Sequence, residues 1–529
     1  MATLAPPRPR TPSITDVHPP SWLQRLPAWL TAGAALVVLT SISLFMRTRY
    51  VGGQFWMDEA ITTGISSHPL AAIPGVLRHD GSPPLFYLLL HVWMGIFGAS
   101  ESATHALSLV FGLLTIPAGM WAGWSLFGRR AGMIAAVLFA FSAFLTQYAQ
   151  ETRMYELMGL LGLLATAAFM HAFVFRRRRY LIMFAVCEAL MLYTHAWGIF
   201  FGAGAVLALI PVWLTSEDRR ALLRDAGVAF VGAAILFLPW LPNFSYQATH
   251  TGAPWAPPPR FGAPVLLSRD LMGGDRVTAA IVLATVIGIA ALFARANRRG
   301  RDATAVWTLI ALPTATLALA WLASQITPAF VSRYFAPTLG AIMLLGAVGL
   351  ARAGIVGVVA LALSVVFVVN VASYAPQYKS EMRDVGGEMA TLVHPGDLTL
   401  VAQPEQTPLA WYYLPSGLRY ATTLGSVTDP RYMNWVDALA RLRHASPTAT
   451  LGSLLAGLRP GQQVLYVRPL TEGAKNWEAS WTQLVRRRAA QWGGLLAGDR
   501  SLQPVAWAPH NYRGACCVAD SAILYKKVS

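Results

Sequence analysis

Eleven stretches of this chain are apolar over close to the length a bilayer demands, about 20 residues each. They run 28–46, 103–127, 131–148, 155–175, 180–195, 197–214, 226–242, 277–294, 303–323, 336–351 and 353–372. Backbone crossing hydrocarbon must satisfy its own hydrogen bonds, so such a succession leaves a helical bundle as the open solution. The composition agrees, with 55% hydrophobic and only 12% charged residues and a mean hydropathy of +0.47. A twelfth run, Pro83 to Gly98, is short for a crossing and opens on two prolines. It reads as a helix lying at the membrane boundary or tucked into the bundle, with Tyr87, His91 and Trp93 suited to the headgroup zone.

Charge sets the sides. Without the twelfth run, seventeen basic residues fall on one side, among them Arg129–Arg130, Arg176–Arg179, the Arg219–Arg224 group and the Arg295–Arg301 group. The opposite loops hold eight: Arg47, Arg49, Arg78, Arg153, Arg260, Arg269, Arg276 and Arg333. Arginine-rich short loops stay in the cytoplasm, which puts the N-terminus inside and the acids of QFWMDEA outside. The net charge of +16 is therefore a topology signal, and no nucleic-acid partner is expected. The first run is of spanning length and lacks a small-residue cleavage site, so no cleavable signal peptide is read.

The expected domains are a disordered, proline-rich cytoplasmic tail over 1–27, a transmembrane domain over 28–372 with a first external loop at 47–102, and an extracytoplasmic domain over 373–529. In the last, DLTLVAQ and QQVLYVRPL read as strands and WTQLVRRRAAQW as a helix, with Gly and Pro punctuation between them, the pattern of a small α/β domain. Of three cysteines, Cys187 reads as packing, and the adjacent Cys516 and Cys517 as two thiols or a strained vicinal disulfide.

Ionisable residues at a membrane edge are costly to bury and are functional candidates on that ground. The first external loop supplies Asp58, Glu59, His79 and Asp80. A carboxylate there can act as a general base or help hold a divalent metal; the alternative is a cap on the helix that follows. His79 reads as structural. The second external loop, QYAQETRMYEL, supplies Glu151, Arg153 and Tyr155, as site residues or as an internally paired helix start. His195, at the outer end of the fifth span, reads as a packing histidine and stays among the candidates. The long loop 243–276, rich in proline, reads as a mobile cover over a site. Arg333, followed by Tyr334 in ITPAFVSRYFAP, either anchors at the headgroups or binds phosphate through paired hydrogen bonds; the phosphate reading is preferred.

FWMDEA, GSPPLFYLLLHVWMGIFGASESATHALSLVFGLLTIPAG, FGRRAGMIAAVLFAFSAFLTQYAQETRMYEL and SRYFAP, in this order and spacing, resemble the GT-C membrane glycosyltransferases over residues 25–370. The branch is that of the protein O-mannosyltransferases and aminoarabinose transferases. The resemblance implies a polytopic α-helical GT-C-like fold of about 11 transmembrane helices; the small C-terminal α/β domain lies outside it. It also implies an enzyme that takes a sugar, such as mannose or a pentose, from a polyprenyl-phosphate carrier to a glycan, lipid or protein acceptor at the outer face. It maps the catalytic acid to Asp58, with Glu59 beside it, and a second-loop acid to Glu151. The donor phosphate falls to Arg333 and Tyr334, with Arg153. Tyr155 stands where the family has an aspartate, and Gly81 where some relatives keep an acid, with Asp80 adjacent. A divalent metal (Mg or Mn) stays an open question, with Asp58 and Glu151 as its ligands if there is one. No phosphate-binding glycine loop indicates a nucleotide donor. The rival classes are a transporter or lipid flippase, which would carry an inverted repeat and polar groups at mid-membrane, and a scaffold or sensor, in which Asp58 and Arg333 would lie far apart.

Overall fold

The computed structural model describes residues 27–295, 300–370, 378–471, 477–515 and 519–528. The expected disordered tail, save Pro27, and the Cys516–Cys517 pair lie outside the described residues. Cys187 is buried and free.

Eight described helices are long and apolar enough to cross a membrane: Trp29–Thr48, Glu101–Phe127, Tyr155–Val174, Gly198–Thr215, Arg219–His250, Asp275–Ala294, Arg301–Ile326 and Ser332–Arg352. The remaining expected spans are shorter helices. Tyr180–Thr194 and Gly354–Asn370 are unbroken. The span expected over 131–148 is two pieces, Arg129–Ala140 and Ala143–Tyr148, because Ser142 takes an extended conformation and its hydroxyl accepts the Leu145 amide at 3.3 Å, starting a new helix. Such a cap meets one of the amides that a helix start leaves unpaired.

Tyr155–Val174 is the middle of the bundle, with 89% of its apolar window buried, whereas Trp29–Thr48, at 11%, lies on the rim. Small residues bring the central helices close. A Cβ on Gly162 would lie 2.3 Å from the Pro337 carbonyl oxygen, and one on Gly340 2.5 Å from Leu163 Cα. This crossing seats the short helix Ser332–Thr338, which carries Arg333, on the start of the helix that follows Arg153.

Two of the basic loops are tied to neighbouring helix ends. Arg176 and Arg178 both reach Asp225 at 3.1 Å, and Arg129 donates to Thr31. Three expectations need correction. Arg47 is no loop residue: it is fully buried at the end of the first helix and donates to the Phe139 carbonyl at 2.8 Å. The twelfth run is indeed a short helix, Leu85–Phe97, but Tyr87 is fully buried rather than at a headgroup level. His91 and Trp93 are half-buried and bond to the Ser66 and Ala103 carbonyls. The expected cover over 243–276 contains the end of one helix, Leu241–His250, and another, Ala263–Met272, each with a proline in its first turn, where the missing amide costs nothing.

Residues 378–528 build a mixed six-stranded sheet in the order β3-β2-β1-β4-β6-β5. The strands are β1 Leu398–Val401, β2 Arg419–Thr422, β3 Gly425–Val427, β4 Gln463–Pro469, β5 Leu502–Ala508 and β6 Asp520–Lys527. β1 pairs in parallel with β2 and β4; the other pairs are antiparallel. The expected helix is Ser480–Gly498. One face of the sheet shares a core with the first loop, since Phe55 and Ala60 pack with Met382, Leu409 and Leu465.

The contact is tight at Gly64, where a Cβ would stand 2.1 Å from the Arg431 carbonyl oxygen. Gly64→Ala therefore forces two backbones apart and is expected to cost about 1–3 kcal/mol. Gly75→Ala, with open space around it, is the control. Thermal unfolding of both variants checks this; equal midpoints would contradict a close backbone contact.

Candidate active site

The first loop turns helical at Met57–Ser66, where Glu59 accepts the Trp56 amide at 3.2 Å. Successive helical residues point about 100° apart, so Asp58 and Glu59 diverge. Asp58 stays 21% exposed while Glu59 is wholly enclosed. Asp58 Oδ2 lies 3.4 Å from Arg333 Nη2 and 3.9 Å from Arg153 Nη2. Positions 275 apart in sequence thus meet at one carboxylate.

Both guanidiniums are held from behind. Arg153 donates to the Thr62 hydroxyl at 2.7 Å and the Asp58 carbonyl at 3.2 Å, and lies 5.6 Å from the centre of the Tyr155 ring. Arg333 sits among the rings of Trp56, Tyr334 and Tyr155, at 5.4, 5.6 and 5.9 Å. Aromatic faces attract a cation and cover its apolar plane without neutralising it. Arg333 thereby keeps its charge available to an anion.

His195 packs behind this group, 4.6 Å from the Tyr334 ring centre, and its Nδ1 accepts the Trp197 amide at 3.1 Å. Asp80 is buried within electrostatic reach of Arg153 and Asp58; burial pushes its carboxyl up to about 6, against the pull of Ser82 and Arg153. His79 points elsewhere: it is exposed, and its ring faces the Gly75 carbonyl at 3.0 Å. Glu59 is not at the Asp58 surface. Burial would raise its pKa, but the charges and hydrogen bonds of Lys379 and His105 outweigh that and hold it at about 2.

Glu151 is buried and its Oε2 has no hydrogen-bond partner. Burial pushes it up to about 7 from the ordinary 4.5, against Lys379 and with Glu59 adding to the rise. Between those pH values the unfolded chain has released this proton and the folded one still holds it, so stability falls as pH rises from about 4.5 to about 7. Glu151→Gln is expected to flatten that decline in thermal unfolding midpoints between pH 5 and pH 7.5. An unchanged slope would assign it to other groups.

Among the described residues no group of three His, Cys, Asp or Glu side chains gathers to hold a metal, and Asp58 faces two guanidiniums that repel a cation.

Sequence reasoning missed Trp56 and Thr62, which brace the arginines, and Lys379 and His105, which enclose Glu59. Lys379 had a signal: it is the one lysine before residue 475 in a chain whose other basic residues are overwhelmingly arginine. Beside the cluster lies a cavity of about 640 Å³, bordered by Tyr148 and Ser332 on the site's flank, Phe144 and Phe367 on apolar walls, and Arg269 and Arg276 at its edge.

The structure matches ArnT from Cupriavidus metallidurans in the apo state with a TM-score of 0.60 at 14% identity, over 94% of this chain and 98% of that one. ArnT bound to undecaprenyl phosphate matches equally, at 0.60 and 14%, over 92% and 97%. The archaeal oligosaccharyltransferase AglB from Archaeoglobus fulgidus, in complex with an inhibitory peptide and a dolichol-phosphate, matches at 0.55 and 11% identity, over 93% and 74%. The fold is thus shared with these solved structures, a helical membrane bundle carrying a small C-terminal sheet domain, and agrees with the fold expected for the transmembrane part. A family model described as Dolichyl-phosphate-mannose-protein mannosyltransferase matches residues 81–246. No curated protein sequence matches the chain.

Proposed function

We propose that this protein is a membrane glycosyltransferase that moves a sugar from a polyprenyl-phosphate donor to an acceptor hydroxyl at the extracytoplasmic face. The observation that carries the reading is the carboxylate of Asp58 set 3.4 Å from Arg333 and 3.9 Å from Arg153. That is one base and two phosphate-suited cations in a single external cluster. The family-model match and a similar fold in a protein that binds undecaprenyl phosphate support the choice of donor.

In this reading Asp58 accepts the proton of the acceptor hydroxyl as its oxygen attacks the anomeric carbon. The bond from that carbon to the phosphate oxygen breaks, and the configuration inverts. Arg333 and Arg153 hold the phosphate and stabilise the charge that grows on it as it leaves, the role for which fixed donors are worth most in a site shielded from water. In this reading the neighbouring cavity, bordered by Tyr148 and by Ser332 next to Arg333 in the chain, receives part of the donor. Glu59 serves as a brace, Asp80 and Glu151 as buried acids around the base.

The orientation follows from charge. In this reading the arginine-rich loops of the sequence stay inside, with the N-terminus in the cytoplasm and the sheet domain outside. Acceptors of the expected class are a cell-envelope glycan, a lipid or a protein; mannose and a pentose are the first donors to try.

Purified protein in nanodiscs, offered a panel of radiolabelled polyprenyl-phosphate sugars with and without a chelator, tests the reading. Transfer of label from one donor, unaffected by the chelator, is expected. Failure of every donor, with transfer from a nucleotide sugar instead, would reject it.

A further inference from the structure

Glu59 follows the proposed base in sequence, yet its bonds lead away from the substrate side. Lys379 Nζ lies 3.0 and 2.9 Å from the two Glu59 oxygens and donates a third bond, at 2.8 Å, to the Gln150 carbonyl. The Thr152 amide donates to Glu59 Oε1 at 2.9 Å. His105 faces Glu59 through Nε2 at 2.6 Å and the Val51 carbonyl through Nδ1 at 2.6 Å.

One buried carboxylate thus gathers four distant parts of the chain. They are the helix that presents Asp58, the start of Glu101–Phe127, the turn Gln150–Thr152, and the first described residues of the C-terminal segment. The turn matters most, because Arg153 comes next in the chain. Lys379 bonds to that turn and to the Asp58 helix at once. Ser380 extends the joint, its hydroxyl donating to the Phe55 carbonyl at 2.6 Å. A buried ion pair adds little net stability over apolar residues of the same volume. What this one supplies is a tie from the C-terminal segment to two loops that also bond directly to each other, through the Tyr50 amide to Gln150 Oε1 at 3.1 Å and through Arg153 to the Thr62 hydroxyl and the Asp58 carbonyl.

We infer that Lys379 is a positioning residue. By bridging Glu59 and the Gln150 carbonyl it sets Arg153 against Asp58, so that the C-terminal segment completes the geometry of a site built in the transmembrane domain. Its consequence for turnover rests on the reaction proposed above; its consequence for the turn does not.

The test uses the full chain in nanodiscs and reads hydrogen exchange of a peptide spanning Gln147–Met154 together with sugar transfer. Loss of a charged hydrogen bond in Lys379→Met should speed exchange at the turn about tenfold or more. Transfer should fall by a similar factor, about tenfold, with the donor KM changed less than about twofold. In the double variant Glu59→Gln/Lys379→Met no carboxylate is stranded, so the thermal midpoint should recover while exchange stays fast and transfer stays low. Lys379→Arg, whose guanidinium can still span a carboxylate and a carbonyl, should restore both. Unchanged exchange at the turn in Lys379→Met, or transfer that recovers in step with the midpoint in the double variant, would overturn the inference. Faster exchange in a protein whose wild type transfers no sugar would instead sink the reaction and leave the lock in place.

Discussion

Asp58→Asn is expected to lower sugar transfer by about 10²- to 10⁴-fold, the usual contribution of a general base, with the protein still folded and inserted. The amide keeps the size of the side chain and removes its capacity to take a proton. A second consequence separates this role from that of a structural ion pair. In the free protein Asp58 offsets the charge of Arg333 and Arg153 across 3.4 and 3.9 Å. Without it, two guanidiniums face an empty counter-ion position, and a donor phosphate meets no competitor for them. The donor KM should therefore hold or fall while kcat collapses, the pattern of an interaction needed in the transition state alone. Titration of donor against wild-type and variant rates measures both quantities. A raised KM with kcat preserved would make Asp58 an ion-pair partner and remove it from the chemistry.

Arg333 should behave in the opposite sense. Arg333→Ala takes away the cation held among Trp56, Tyr155 and Tyr334 and leaves Asp58 facing Arg153 alone. Donor phosphate loses a fixed partner both on binding and as it leaves, so kcat/KM is expected to drop by about 10²- to 10³-fold, the scale of removing one preorganised donor. Arg333→Lys keeps charge but neither the planar fork nor its fit to the rings, and should fall between the two. Steady-state rates at several donor concentrations decide it. Equal kcat/KM in the alanine variant would show that the phosphate is held elsewhere, with Arg269 and Arg276 at the neighbouring cavity the next to test.

Much of this arrangement is legible in the chain itself. Apolar runs and arginine-rich loops give the bundle because membrane insertion is governed by composition over about 20 residues, a signal that needs no long-range contact. The strands at β1 and β4 and the helix Ser480–Gly498 follow from local pattern. Asp58, Arg153 and Arg333 stand out because a charge beside an apolar span calls for a reason.

What stayed hidden depends on direction and distance. Asp58 and Glu59 look equivalent in sequence; only the helical turn between them sends one toward the arginines and the other inward. Lys379 and Glu59 are 320 positions apart, and His105 sits near the start of an apolar helix where a histidine reads as packing. The segment 243–276 misled through its prolines, which break helices in their interiors but start them in the first turn. Ser142 cut a span in two by acting as a cap.

The most direct measurement of the central claim is acceptor-dependent release of polyprenyl phosphate from a polyprenyl-phosphate sugar, followed in wild type, Asp58→Asn and Arg333→Ala. The account predicts release matched to sugar gained by the acceptor in wild type, and its near-complete loss in both variants. Release that continues in both, or a wild type that binds the donor and never parts sugar from phosphate, would contradict it.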